Sequence, residues 1–189
     1  MADEHELIRD PKTLRALAHP MRWKLIDVLR TYGASTATQC AELLGESVAS
    51  CSYHLNVLSQ YGFVAEVQGK GRQKPWRLVR PDQSWSSIGM DDETAMAAEA
   101  AGDAFLDQEF SAIRERFRRK DGEPVEWRER MGTFATTEFL TVAEAAEVHA
   151  RIFEIFAPYA DRLETVENRP EGARPVRFFL ATTVAPSRD

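Results

Sequence analysis

Six side chains in this 189-residue sequence offer the thiol or imidazole that ligates zinc or acts as a sulfur or imidazole nucleophile: Cys40, Cys51, His5, His19, His54 and His149. Their spacing argues against both roles. There is no second ligand at zinc-like spacing and no HxxxH or HExxH pattern. Cys40 and Cys51 fall on apolar helix faces, where a free thiol behaves as a small apolar residue. No nucleophile elbow, phosphate-binding glycine loop, paired-carboxylate motif or dinucleotide fingerprint is present. The chain is therefore expected to need no metal and no cofactor, and not to be an enzyme. The chemistry that remains is recognition. Ser47, Val48, Ala49, Ser50, Ser52, Tyr53 and Asn56 form a small, largely polar set at helical spacing, suited to hydrogen-bonding base edges. Arg22, Lys70, Arg72 and Lys74 are cations suited to phosphates.

Two helices and a tight turn must position the first set. The first helix runs from about Thr38 to Leu44 and is expected to bury Cys40, Ala41 and Leu44. Gly45 follows where the chain reverses, because glycine reaches positive φ at little cost. Ser47 stands at an N-cap position. The second helix carries Cys51, Leu55 and Leu58 at i, i+4 and i+7, a single apolar stripe opposite the small polar face. Such a helix can be held from behind and pressed into the major groove of double-stranded DNA.

Upstream, Asp10 or Pro11 opens a helix with Leu14 and Leu17, and His19-Pro20 breaks it. Pro20 starts the next helix, which is expected to bury Met21, Leu25, Val28, Leu29 and Tyr32 before Gly33 ends it. Downstream, Phe63, Ala65 and Val67 alternate with polar or smaller neighbours, as do Trp76 and Leu78. Two strands therefore flank the loop around Gly69, Lys70, Gly71 and Arg72.

LRALAHPMRWKLIDVLRTYG, CAELLGESVASCSYHLNVLSQYGFV and the basic hairpin after them resemble the winged helix-turn-helix domain of ArsR-type bacterial transcriptional regulators. The resemblance covers roughly residues 11–81. AELLGESVASCSYHLNVLSQYGFV carries it most strongly, with its glycine turn, its His54-Leu55 pair and its LxxxGFV exit. One position departs from the pattern: Glu46 follows Gly45 where the family usually has an apolar residue. The resemblance implies a sequence-specific homodimer on a DNA operator, most simply a repressor, and no membrane association. Many members sense metals through thiolates, and the Cys-x-Cys they use is absent here.

Charge divides the chain in the same way. The whole carries −6, yet residues 12–81 hold ten Lys and Arg against four Asp and Glu, a balance of +6. A basic module tied to an acidic remainder fits nucleic-acid binding at one end. No apolar run approaches the ~20 residues needed to span a bilayer. MADEHELIRD is acidic and lacks a signal-peptide apolar core, so a cytoplasmic protein is expected.

PDQSWSSIGMDD, rich in Ser, Asp and Gly, reads as a linker that Trp85 and Ile88 could dock. A long helix follows over about 92–119, with Met96, Leu106, Phe110, Ile113 and Phe117 as its apolar side and AMAAEAAG allowing close helix approach. Thr141 and Glu144 form a capping box for a helix reaching Ala157, whose apolar residues are spread widely enough to be buried on two sides. VRFFLATTV is expected to be a strand paired with the segment around 134–140. The fold class is thus mainly α with small β: a winged helix-turn-helix over 1–82, then linker and a C-terminal α+β dimerisation domain over 83–189. Nine of the ten phenylalanines lie beyond residue 82. They could fill a core or line a pocket for a small apolar effector, with Trp127, His149 and Phe153 as the candidate contacts; the core is the simpler account. Two other functions share the pattern: a small-molecule sensor whose ligand releases DNA, and a winged helix used as a protein-interaction module.

Overall fold

The structure, a computed structural model, describes residues 7–69, 71, 73–80 and 83–186. Helix α1 (Pro11–Leu17) opens at Asp10, whose carboxylate accepts the Thr13 N–H at 2.7 Å. It stops before Pro20. His19 is extended, and its Nδ1 accepts the Met21 N–H at 3.1 Å, capping α2 (Pro20–Tyr32). Helix α3 (Ala37–Leu44) opens on a capping box, with Thr36 and Gln39 each accepting the other's backbone N–H. Helix α4 (Val48–Gln60) follows the Gly45 turn. Strands β1 (Val64–Glu66) and β2 (Trp76–Leu78) then pair antiparallel with Ala65 opposite Arg77, and Ser35 bridges Trp76.

These elements close on Leu14, Leu17, Leu25, Ile26, Cys40, Cys51, Leu55, Leu58, Phe63 and Val64, all essentially inaccessible. Helix α2 is central, touching α1, α3, α4, β2 and the later long helix. It therefore buries Trp23 and Ile26 as well as the expected stripe. Tyr32, expected inside, is 62% exposed, because the last turn of α2 overruns the core. Leu44 is half-buried rather than buried.

The linker is tied down at several points. Ile8 N–H donates to the Ser84 carbonyl at 2.9 Å, and Arg30 donates to Gln83 Oε1 at 3.2 Å. Trp85 lies against Trp23 and Phe105, with ring centroids 5.8 and 6.3 Å away. Ile88 does not dock and is 86% exposed. Helix α5 (Asp92–Arg118) starts where Asp91 accepts the Thr94 N–H at 2.8 Å. Near its end Arg116 meets Asp27 of α2 at 2.8 Å. Its buried residues are Thr94, Ala97, Ala98, Ala101, Ala104 and Glu109, and the helix lies mainly on α1 and also on α2. That reverses the expectation for Met96, Leu106 and Phe110, which are exposed on the other side of the helix. Small side chains let two backbones approach closely, so the alanine side wins the contact.

The chain divides into two compact units, Met1–Arg118 and Arg119–Asp189. The second holds 3-10 turns (Lys120–Gly122, Ala157–Tyr159 and Val166–Asn168) and the helices α6 (Val125–Arg128), α7 (Val142–Phe156) and α8 (Asp161–Glu164). The Thr141–Glu144 capping box opens α7, as expected. Phe178 packs against Phe156 in a tilted arrangement with centroids 5.2 Å apart, and Thr182 Oγ1 lies 2.8 Å from His149 Nε2. The segment over 178–182 therefore runs antiparallel alongside α7. Its expected pairing with residues 134–140 does not form: β1–β2 is the sheet among the described residues. Nor is α7 buried on two sides. Ala145, Ile152 and Phe156 are half-buried and its other residues exposed, because this unit offers one extended segment to cover it. The molecule as a whole is mainly helical with one small sheet, as expected.

Candidate nucleic-acid interface

The interface is built outward from the core under α4. Gly45 adopts the left-handed conformation at φ 66°, and the Glu46 N–H donates to the Ala41 carbonyl at 3.1 Å. Glu46 itself turns to Lys24 at 3.5 Å, which accommodates a charged residue in an ordinarily apolar turn. Ser47 Oγ accepts the Ser50 N–H at 3.1 Å and starts α4. Cys51, Leu55 and Leu58 are wholly buried and fix the helix from behind. On the other face Val48, Ala49, Tyr53 and Asn56 are exposed, with Ser50 and Ser52 half-buried beside them. Asn56 Nδ2 donates to the Ser52 carbonyl at 2.8 Å, holding that amide on the helix.

His54 faces inward, with its ring centroid 4.4 Å from that of His19. Its Nδ1 is buried with no hydrogen-bond partner among the described residues. Burial, then the nearby His19 and Arg22, holds the imidazole below its usual pKa of 6.5. The pair is therefore neutral at pH 7. Cys40 is likewise pushed up to about 11, mainly by burial, so its thiolate is scarce.

The hairpin presents Lys74, whose side chain is largely exposed and 3.4 Å from Glu66. Lys70 and Arg72 lie outside the described residues. Gly69 is required sterically: a Cβ there would stand 2.6 Å from the Gln73 carbonyl oxygen. Thr36, Thr38, Gln39, Gln73 and Lys74 line a shallow cleft between the start of α3 and the hairpin. Thr38 and Gln39 were absent from the sequence-based set, although the Thr36–Gln39 capping box marks a helix N-terminus, where backbone N–H groups favour anions. Arg22 is engaged within the fold. Its Nη1 donates to the Ala16 carbonyl at 2.7 Å, bracketing the end of α1 to the start of α2.

The candidate effector contacts Trp127, His149 and Phe153 all lie in the second unit, His149 and Phe153 one turn apart on α7. Trp127 lies under the Arg174 guanidinium, 5.3 Å from ring centroid to Cζ, and Arg174 pairs with Glu123 at 2.7 Å. His149 bonds Thr182 and Phe153 is 69% exposed.

No helix among the described residues is long and apolar enough to cross a membrane. No curated protein matches the chain. Residues 17–67 match the family model described as a helix-turn-helix domain. That span contains α2, α3, α4 and β1, so the protein carries a helix-turn-helix domain of the DNA-binding kind.

Proposed function

We propose that the protein is an ArsR-type transcriptional regulator that binds a double-stranded DNA operator as a homodimer and represses by occupying it. The observation that carries this is α4: a helix immobilised by three wholly buried side chains, with short polar groups outward and a basic hairpin following it. Base edges fall to Ser47, Val48, Ala49, Ser50, Ser52, Tyr53 and Asn56; Lys70, Arg72 and Lys74 meet phosphates, as does Arg22, which also ties α1 to α2. The homodimer is supported by apolar surface that neither unit covers by itself. Helix α5 exposes Met96, Leu106 and Phe110, and residues 134–184 expose Phe134, Phe139, Val142, Phe153, Phe178 and Leu180. Patches of this kind mark association surfaces, and a two-fold dimer presents two copies of α4 about one DNA turn apart.

Selection of binding sites from random duplex DNA with the purified full chain tests the reading. It should return a two-fold-related pair of half-sites whose affinity falls steeply with salt. A folded protein that retains no duplex, or binds with no salt dependence, would exclude DNA as the partner and favour a protein-interaction role.

A further inference from the structure

The flank of α4 nearest α1 holds a second basic surface that the recognition helix and hairpin do not account for. Lys12 and Arg15 of α1, Arg22 of α2, and Tyr53, Gln60 and Tyr61 of α4 and its exit line one open cleft. Ala16 and Val57 complete the lining, which carries cations and neutral hydrogen-bonding groups but no carboxylate. Tyr53 belongs to both surfaces, being 62% exposed on the outward face of α4 and lining this cleft. The cleft is firm on one side, since Arg22 is bonded to the Ala16 carbonyl at the end of α1. Just outside the lining, Glu93 in the first turn of α5 holds Arg15 at 2.6 Å, with both side chains more than half exposed.

We propose that this cleft seats a backbone phosphate of the bound DNA, next to the groove that α4 enters, and that Glu93 competes with that phosphate for Arg15. The inference rests on the DNA-binding reading above. A helix is about as wide as the major groove that receives it. The flank of α4 that lines the cleft, from Tyr53 at mid-helix to Tyr61 at its exit, therefore comes up against the sugar-phosphate ridge. A concave surface with cations and phenol hydroxyls fits a phosphodiester, which offers charge and acceptors only. An exposed ion pair such as Arg15–Glu93 is weak, so it yields to a phosphate while still taxing the binding.

Log affinity against log salt for the full chain on its selected operator, and on unrelated duplex, tests this. Lys12→Ala with Arg15→Ala should weaken both complexes by a similar factor. The slope should fall in magnitude by up to about 0.9 per lost contact in each subunit. Glu93→Gln should act in the opposite direction, tightening binding to both duplexes several-fold and steepening the slope. Unchanged slopes in these variants, beside a reduced one in Lys74→Ala, would overturn the cleft and leave the DNA-binding reading standing. Loss of all DNA binding by the parent would remove that reading itself, and this one with it. A free anion is the remaining occupant. Stabilisation of the DNA-free protein by inorganic phosphate, abolished in the α1 double variant with no change in slope, would assign the cleft to it and overturn the proposal.

Discussion

His54 and His19 show how a single pair of side chains links packing to pH. Both have folded pKa values below the usual 6.5, His54 because it is buried and His19, which is itself exposed, through partial desolvation beside Arg22. A depressed folded value means that the unfolded chain binds protons first as pH falls. The pair's contribution to stability is therefore full above pH 6.5 and is lost as pH drops through the folded values. The denaturant midpoint should decline between pH 7 and pH 5, and His54→Gln with His19→Asn should flatten most of that decline; an equally steep fall in the double variant would show that other groups cause it. The cysteines argue in the same terms. Cys40 and Cys51 are wholly buried and both thiols are shifted upward by burial. Alkylation of the native protein at pH 7.5 should be slow and should accelerate on unfolding. Cys40→Ala with Cys51→Ala should cost on the order of 1–2 kcal/mol, with DNA binding unresponsive to zinc, arsenite or peroxide in parent and variant alike. Release of the parent by any of these, absent in the variant, would make the thiols sensors.

The hairpin and α5 place different demands on their residues. The hairpin needs cations that can reach, and Gly69 so that its backbone can close on Gln73. Replacing Lys70, Arg72 and Lys74 together with Ala should weaken binding to all sequences about equally and reduce the salt slope by up to about 0.9 per lost contact. An unchanged slope would show that the hairpin does not touch phosphate. Helix α5 needs small residues where it lies on α1. Ala101 is wholly buried there, so Ala101→Leu should overpack the contact and cost about 1–3 kcal/mol, read as a lower denaturant midpoint. The exposed Met96 is a control, since Met96→Leu should be within about 0.5 kcal/mol of the parent.

Assembly is where the uncovered apolar surface has its consequence. Residues 119–186 contain no buried side chain among those described, although α7 is apolar on more than one side. A second copy supplies the missing layer in the dimer proposed above. Sedimentation of the full chain should give a dimer, and residues 1–82 alone should be mainly monomeric and bind the operator much more weakly. Cutting after Arg118 instead keeps the α1–α5 contact, so that fragment should be more stable than 1–82. Phe153→Glu and Phe110→Glu, each at an exposed position, should lower operator affinity by dissociating the dimer while circular dichroism stays helical. A full-length monomer would sink the dimer; a 1–82 fragment that dimerises as tightly as the parent would move the interface out of the C-terminal region.

Local features were legible in the sequence because their causes are local. Ser47, Thr141, Asp10 and His19-Pro20 mark helix starts through bonds made within three residues. Cys51, Leu55 and Leu58 share a face because 3.6 residues make a turn. Gly45 announces a reversal because few other residues adopt its φ cheaply. What only the tertiary structure decided was which of two apolar faces meets a neighbour. Helix α5 offered large side chains on one side and alanines on the other. Periodicity favours the large side chains, but the closeness of α1 selects the alanines. Arg22 reads as a phosphate contact, and its bond to the Ala16 carbonyl comes only with the packing of α1 beside α2. The same limit explains VRFFLATTV. Its alternation and β-branched residues mark an extended segment, while a ladder requires a partner edge that residues 134–140 do not bring to it. Sequence periodicity states what a segment can bury; the rest of the chain determines what arrives to cover it.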